Sequence, residues 1–378
     1  MIRTLVDGLR EVDQARGRVE STVASIFTAD THVRMPEGVA TVILTDLPYR
    51  ASSALSLRAV RATQVLLAEQ TYDIVHAHLY VSAVYLGLLH CWRPSLFRHS
   101  SLVYTMHANR RHLSSPFFYL TMGSLTPFRV IVTEFEESRD EVRGLRAAQR
   151  AKHEYIPLGV DSGRFHARGR PENRHYWRRR LRLADGDLVL LSVARLHPQR
   201  RIETFLRALP AVRREVLNAT GRRPVLVLVG DGEQRQDYER LTEILGIREQ
   251  VVFLGSEEDS PEMYWGADAY FTIAVRRDLG LAAWKAGLCG CPIVATNVGS
   301  PVAPGVHDEG HFLLVEDAAA FASAAVNVLS NPDLGERLAR RAAQTAQVRH
   351  TSSAMVREYA RIYHSFAEPR ARSALAGA

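Results

Sequence analysis

Three groups of residues in this chain have the types and spacing for chemistry on a charged or hydroxylated ligand. The first is residues 192–201 (SVARLHPQRR), where Arg195 and Arg200 stand between an apolar run and an amphipathic one. Guanidiniums are planar, permanently charged forks that bind phosphate oxygens in pairs. At a strand-to-helix junction, beside helix-start amides, two of them suit a leaving diphosphate. The second is residues 277–300 (RDLGLAAWKAGLCGCPIVATNVGS), which read as loop, helix, buried strand and turn. Gly280 lies where a backbone amide can approach an anion closely. The third is the histidines that end the apolar runs in residues 72–83 (YDIVHAHLYVSA) and 102–112 (LVYTMHANRRH). An imidazole there can hydrogen-bond to a reacting oxygen near neutral pH. Each group also has a plainer reading, as surface arginines at a helix start or as histidines satisfied within a core.

These residues need rigid elements behind them. In the first half, helices are expected over 2–16, 54–69 and 82–90, and strands over 19–27, 39–44, 73–78, 102–107, 130–133 and 155–157. The second half repeats the pattern, with strands over 188–193, 224–230, 251–254, 269–274 and 292–296. Helices over 202–216, 234–245, 261–266 and 281–288 separate them, and others follow over 317–329, 335–348 and 352–367, with a polar tail after the last. Short apolar strands separated by helices predict parallel, doubly wound sheets. A chain of 378 residues exceeds what one core usually supports. The expected architecture is α/β, with two Rossmann-like, doubly wound domains joined near 158–169 and facing a cleft, and ligands at the carboxyl ends of the strands. The first domain opens on a helix where such a domain normally opens on its central strand. That strand and its phosphate-side loop are therefore expected to be missing, or the start to be truncated.

Six stretches carry a resemblance to retaining GT-B glycosyltransferases of family 4. Residues 226–247 (LVLVGDGEQRQDYERLTEILGI), followed by VVFLG over 251–255, resemble the family with little departure. Residues 192–201 resemble its G-R-L-x-x-x-K-G, with Arg195 on the arginine, Arg200 on the lysine and Arg201 on the last glycine. Residues 277–300 resemble its donor-sugar motif, except that Arg277 and Lys285 stand at the two glutamates of E-x7-E, with Asp278 one position away. The histidine segments resemble D-x-V-H-x-H and V-x-T-x-H, and residues 155–165 (YIPLGVDSGRF) resemble the interdomain crossover.

The resemblance implies a GT-B fold with an acceptor domain over 1–160, a nucleotide-sugar domain over 161–350, and a C-terminal helix and tail over 351–378. It implies metal-independent, retaining transfer from a nucleoside-diphosphate sugar as co-substrate, with no cofactor, to an acceptor the sequence does not specify. Arg195 and Arg200 would clasp the diphosphate, the Gly280 amide would support it, and His107 would be the catalytic group over the sugar ring. Arg277 or Asp278 would meet the donor sugar, Lys285 the ribose, and Leu254 and Gly255 the base. A carboxylate accepts hydrogen bonds from sugar hydroxyls, whereas Lys and Arg only donate. A catalytically degenerate homologue, acting as a binding or auxiliary subunit, is therefore a competing expectation. An epimerase-like enzyme on the same fold is a weaker one.

Composition narrows the field. Hydrophobic content of 46% and charged content of 24% are those of a globular protein. No apolar run reaches the roughly 20 residues of a membrane-spanning helix, and the start lacks a secretory signal core. Three cysteines, Cys91, Cys289 and Cys291, argue against a disulfide framework and fit a reducing cytoplasm. The Cys289-Gly290-Cys291 run lacks two further ligands at zinc spacing, so no metal is expected. Net charge is +7, yet Lys152 and Lys285 are the only lysines among 48 basic residues. That bias reads as genomic composition, and no nucleic acid is expected as a partner. The one candidate basic-aromatic stretch, residues 174–182 (RHYWRRRLR), reads as a solvated helix face. Residues 110–120 (RRHLSSPFFYL) mix basic and aromatic side chains that suit either a peripheral membrane contact or loop packing.

Overall fold

The computed structural model describes residues 1–13, 20–26, 39–45, 56–107, 125–275, 279–298, 306–308, 310, 312–315 and 318–376. The chain divides into two compact units, one of Met1–Leu158 with Ser352–Ala378 and one of Gly159–Thr351.

The first unit begins with α1 (Ile2–Asp13), β1 (Thr22–Ser25), β2 (Ala40–Ile43) and α2 (Leu57–Glu69). It continues through β3 (Ile74–His78), α3 (Leu79–Trp92), β4 (Ser101–Met106), β5 (Val130–Thr133), α4 (Glu136–Arg143) and β6 (Lys152–Tyr155). Strands β3 to β6 form one parallel sheet in sequence order, and β1 and β2 pair in a parallel sheet of their own. The strand expected over 155–157 thus lies at Lys152–Tyr155. Strand β4 shows why the sheet forms: SLVYTM is buried at every position, and successive side chains point to opposite faces. Leu102 and Tyr104 pack with Ala59 of α2 and Leu89 of α3, whereas Val103 packs with Leu5 and Leu9 of α1. A parallel strand covered on both faces has to be continuously apolar. The helix Ser352–Ala376 completes the Val103 layer with Val356 and Tyr359, so the end of the chain belongs to the first unit's core. That helix also runs through most of the stretch read as a polar tail.

The second unit holds α5 (Arg170–Arg180), β7 (Leu188–Val193), α6 (Glu203–Thr220), β8 (Pro224–Val229), α7 (Arg235–Ile244) and β9 (Val251–Gly255). Then come α8 (Pro261–Gly266), β10 (Ala269–Val275), α9 (Leu281–Leu288), β11 (Ile293–Val298), β12 (Val306–Asp308) and β13 (Leu313–Val315). Helices α10 (Ala318–Ser330) and α11 (Pro332–Arg349) close it, and Ser352–Ala376 is α12. The sheet order is β12-β13-β11-β10-β7-β8-β9, parallel except for β12 at one edge. Alternation again builds two layers. Leu188 and Leu190 join Leu226 and Leu228 on one face, and Val189 and Leu191 join Val225 and Val227 on the other. Chain order reverses between β7 and β10, and such a switch point is where open α/β sheets bind ligands.

One expectation is corrected here. Residues 174–182 are solvated on one side only: His175, Tyr176, Arg179, Arg180 and Arg182 are exposed, but in α5 Trp177 is 2% exposed and Arg178 1%. The Arg178 guanidinium donates to the carbonyls of Gly266 (2.9 Å) and Asp187 (2.9 Å) and to the Asp268 carboxylate, which Arg174 also reaches. A buried charge is tolerated when paired and hydrogen-bonded in this way, and the partners come from distant sequence. Among the described residues, no helix is long and apolar enough to cross a membrane.

Candidate active site

Strand β7 hands the chain to a loop and a short turn, Pro198–Arg200, before α6. The Gly-Asp-Gly turn after β8 presses against that loop. Gly230 has φ 126°, and a Cβ there would lie 2.1 Å from the Ala194 carbonyl oxygen. Leu196 N–H donates to the Asp231 carbonyl (3.0 Å), and Gln234 N–H donates to that of Leu196 (3.1 Å). The glycines therefore fix the Arg195 loop as well as turning the chain. Arg200 lines a cavity of about 130 Å³ with Ser192, Tyr270, Thr272 and Gly280. Gly280, at φ 75°, is the N-cap of α9. The first amides of a helix have no intrahelical acceptor and favour an anion, so a guanidinium and a helix start share one cavity. A larger hollow, of about 440 Å³, is lined by Glu203, Asp237, Arg240 and Ile244; its two carboxylates outnumber its one guanidinium, which does not suit a diphosphate.

Arg201 holds φ 41° and ψ 40°, the left-handed conformation that a glycine adopts freely. For a residue with a side chain this costs about 1–2 kcal/mol. Arg201→Gly is expected to stabilise the fold by about 0.5–1 kcal/mol, strain relief offset by glycine's greater chain entropy. Thermal unfolding checks it, and a lowered melting temperature would mean that the 4.0 Å contact of Arg201 with Glu203 outweighs the strain.

The Lys285 ammonium is ion-paired with the Asp259 carboxylate and lies 5.0 Å from the Phe165 ring centre. Tyr264 O–H donates to the other Asp259 oxygen at 3.1 Å. The cation at position 285 is thus neutralised from within the unit. Cys289 and Cys291 are buried, and the Cys291 thiol donates to the carbonyls of Tyr264 and Ala267. Among the described residues, no group of three or more His, Cys, Asp or Glu is placed to hold a metal ion.

In the first unit, β3, β4 and β5 pair in register, and His78, His107 and Glu134 stand at or just beyond their carboxyl ends. His107 Nδ1 lies 2.6 Å from Glu134 Oε1, and His107 Nε2 lies 3.0 Å from His78 Nδ1. The rings of His78 and His107 stack with centroids 5.3 Å apart. His76 has a different task. Its Nδ1 lies 2.5 Å from the Tyr363 hydroxyl, and its Nε2 lies 2.8 Å from Thr105 Oγ1, which in turn meets Tyr359. Loss of solvent, with His107 nearby, pushes its pKa down to about 3. It stays neutral and ties α12 to the sheet. His78 is also held well below the usual histidine range, by desolvation first and then by His76, His107 and the chain's amino terminus.

Two family models match, one to each half. Residues 6–164 match Glycosyltransferase Family 4, and residues 187–331 match Glycosyl transferases group 1. Each half of this chain is thus similar to a glycosyltransferase family model. Solved structures show that the fold is GT-B. Sucrose-phosphate synthase from Thermosynechococcus elongatus matches 97% of this chain and 93% of its own at TM-score 0.73 and 19% identity. Anabaena HepE in complex with UDP-glucose matches 96% and 95% at TM-score 0.70 and 18% identity. A D-inositol 3-phosphate glycosyltransferase from Actinosynnema mirum is 34% identical over 218 residues, 55% of this chain and 51% of its own. The chain spans about half the length of the first curated relatives it matches.

The fold brings some of the sequence-derived residues together and separates others. Arg200 and Gly280 share a cavity. Among the described residues, Arg195, Leu254, Gly255 and Lys285 are not on its lining. Arg195 is exposed on its loop, Leu254 packs half-buried against the core, and the Gly255 carbonyl accepts from Gly230 N–H at 2.7 Å. Arg277, Asp278 and residues 110–120 lie outside the described residues. Sequence reasoning missed Glu134 and Asp259. Glu134 follows the apolar run VIVT as His107 follows its own, and Asp259 follows the VVFLG strand by four positions. Both carried the signal of a polar residue at a strand's carboxyl end.

Proposed function

We propose that this protein is a metal-independent transferase that moves a sugar, with retention, from a nucleoside-diphosphate sugar to an acceptor hydroxyl. The observation that carries the reading is the cavity in which Arg200 meets the start of α9. As the bond from the anomeric carbon to the diphosphate oxygen breaks, its electron pair leaves with the diphosphate. A guanidinium and helix amides meet that growing charge. The sugar left behind has oxocarbenium character; the acceptor oxygen bonds to it on the face the diphosphate vacates, and its hydroxyl proton passes to the departing diphosphate oxygen. Asp259, held by Lys285, supplies acceptor lone pairs beside the position where the resemblance expects a glutamate. The solved relative with UDP-glucose makes uridine donors the first to try. Sparse cysteines support a cytoplasmic setting.

The second reading, a catalytically degenerate homologue, is favoured by one observation: position 285 carries an ammonium, which only donates. Titration calorimetry of the full chain with UDP, GDP, UDP-glucose, UDP-glucuronic acid and GDP-mannose separates the two. The transferase reading expects diphosphate binding that Arg200→Ala weakens about tenfold or more, the worth of a hydrogen bond to a charged group. Preference for UDP-glucuronic acid would assign its carboxylate to Arg277. Binding of none of the five leaves the degenerate reading.

A further inference from the structure

We infer that His78, rather than His107, presents the ring nitrogen that accepts a substrate hydroxyl, and that Glu134 and His107 are positioning residues that fix its tautomer. The inference rests on the transferase reading and deepens it.

The argument is one of hydrogen-bond direction. A carboxylate only accepts, so the 2.6 Å contact with Glu134 commits His107 Nδ1 as a donor. A neutral imidazole with Nδ1–H carries its lone pair on Nε2. With His107 neutral, that lone pair is taken by His78, so at 3.0 Å His78 Nδ1–H is the donor. His78 is left with its own lone pair on Nε2. Among the described residues this nitrogen makes no hydrogen bond, whereas His107 and His76 have both ring nitrogens engaged. The chain of three has one open end, and that end accepts.

The backbone at this point is strained. Leu79, directly after His78, holds φ 69° with its side chain 54% exposed. A bulky residue there costs about 1–2 kcal/mol, and such outliers persist where surrounding structure imposes them, often at functional positions. The turn makes His78 both the last residue of β3 and the N-cap of α3, yet its ring makes no capping hydrogen bond. The positive end of α3 disfavours an imidazolium at that position, as does the desolvation of the ring. His78 is thereby kept as a neutral acceptor. Its natural partner is a neutral hydroxyl, of the donor sugar or of the acceptor, and not a phosphate oxygen, which has no proton to give.

The test reads tautomers first. In the full chain carrying ring-15N histidine, assigned with His78→Asn and His107→Asn, both His107 and His78 are expected as the Nδ1–H form. That form is the minor one in free histidine. Glu134→Leu should let His78 move toward Nε2–H, and Glu134→Asp should restore Nδ1–H; a purely structural glutamate would change stability but not the tautomer. If Glu134→Leu does not fold, the wild-type spectrum decides, and Nε2–H on His78 overturns the inference. Diethyl pyrocarbonate, which carbethoxylates unprotonated imidazole nitrogens, should label His78 and spare His76 and His107. Protection by UDP-glucose but not UDP places a donor-sugar hydroxyl at His78, and protection by glucose alone places an acceptor hydroxyl there. Labelling unchanged by glucose and by every nucleotide sugar that binds in calorimetry overturns the contact. Absence of nucleotide binding with Nδ1–H intact on His78 removes the transferase reading and leaves the relay standing.

Discussion

Arg178→Ala is expected to cost the second unit about 3–5 kcal/mol, the penalty for removing one partner of a buried ion pair. Such a loss is a large fraction of the 5–15 kcal/mol that typically separates folded from unfolded protein. The loss has two sources. Asp268, which Arg178 and Arg174 share, keeps one guanidinium where it had two. The Gly266 and Asp187 carbonyls lose a buried donor outright. The Asp268 carboxylate also accepts from Val189 N–H at 2.7 Å, so the pair anchors β7 as well as α5. Denaturant unfolding of the full chain, with a tryptophan signal for the second unit, reads the effect as a lowered midpoint. A change below about 1 kcal/mol, the range of an exposed pair, would show that the network contributes only as a surface contact does.

Lys285→Glu is the second large effect, and its direction is counterintuitive. It installs the residue that the family resemblance expects at this position. In this chain, however, the new carboxylate would face Asp259 with the ammonium gone. The pair is partly shielded, Lys285 being 19% exposed and Asp259 38%, so the cost should fall between the surface and buried limits, at about 2–3 kcal/mol. Reverting to the family residue is thus expected to harm the protein. The charge-swapped double variant Lys285→Glu/Asp259→Lys should recover most of the stability. A double variant no better than the single one would mean that the 5.0 Å approach of Lys285 to Phe165, and not the ion pair, fixes this corner.

What the sequence made legible follows the physics of each feature. Strands β7 and β8 were readable because a two-sided parallel strand is nearly continuously apolar: PVLVLV is apolar throughout, and LVLLSV is so except for Ser192. The glycines at 230 and 280 were readable as backbone devices, although what Gly230 presses against, Ala194, lies across the sheet and leaves no local trace. The arginine-rich α5 was read correctly on its exposed side but not on its buried one, because charge along a helix normally means solvent, and only tertiary partners reveal that Arg178 is buried. Strands β12 and β13, of three residues each, are too short to show a period. Among the site residues, Arg200 and Gly280 announced themselves by type and position. Glu134 and Asp259 did not, because a single carboxylate after a strand is common, and its meaning depends on the histidine or lysine that the fold sets beside it.

The placement of α12 has a consequence for how this protein is made. Leu5 and Leu9 share a core layer with Val356 and Tyr359, so the first unit is built from both ends of the chain. At ribosomal speeds of roughly 5–20 residues per second, on the order of tens of seconds separate the synthesis of those two sets. The second unit, contiguous over Gly159–Thr351, is complete before the first can be. During that interval Val103, Val130 and Val132 lack the cover that α12 provides. The first unit's maturation therefore waits on the synthesis of α12.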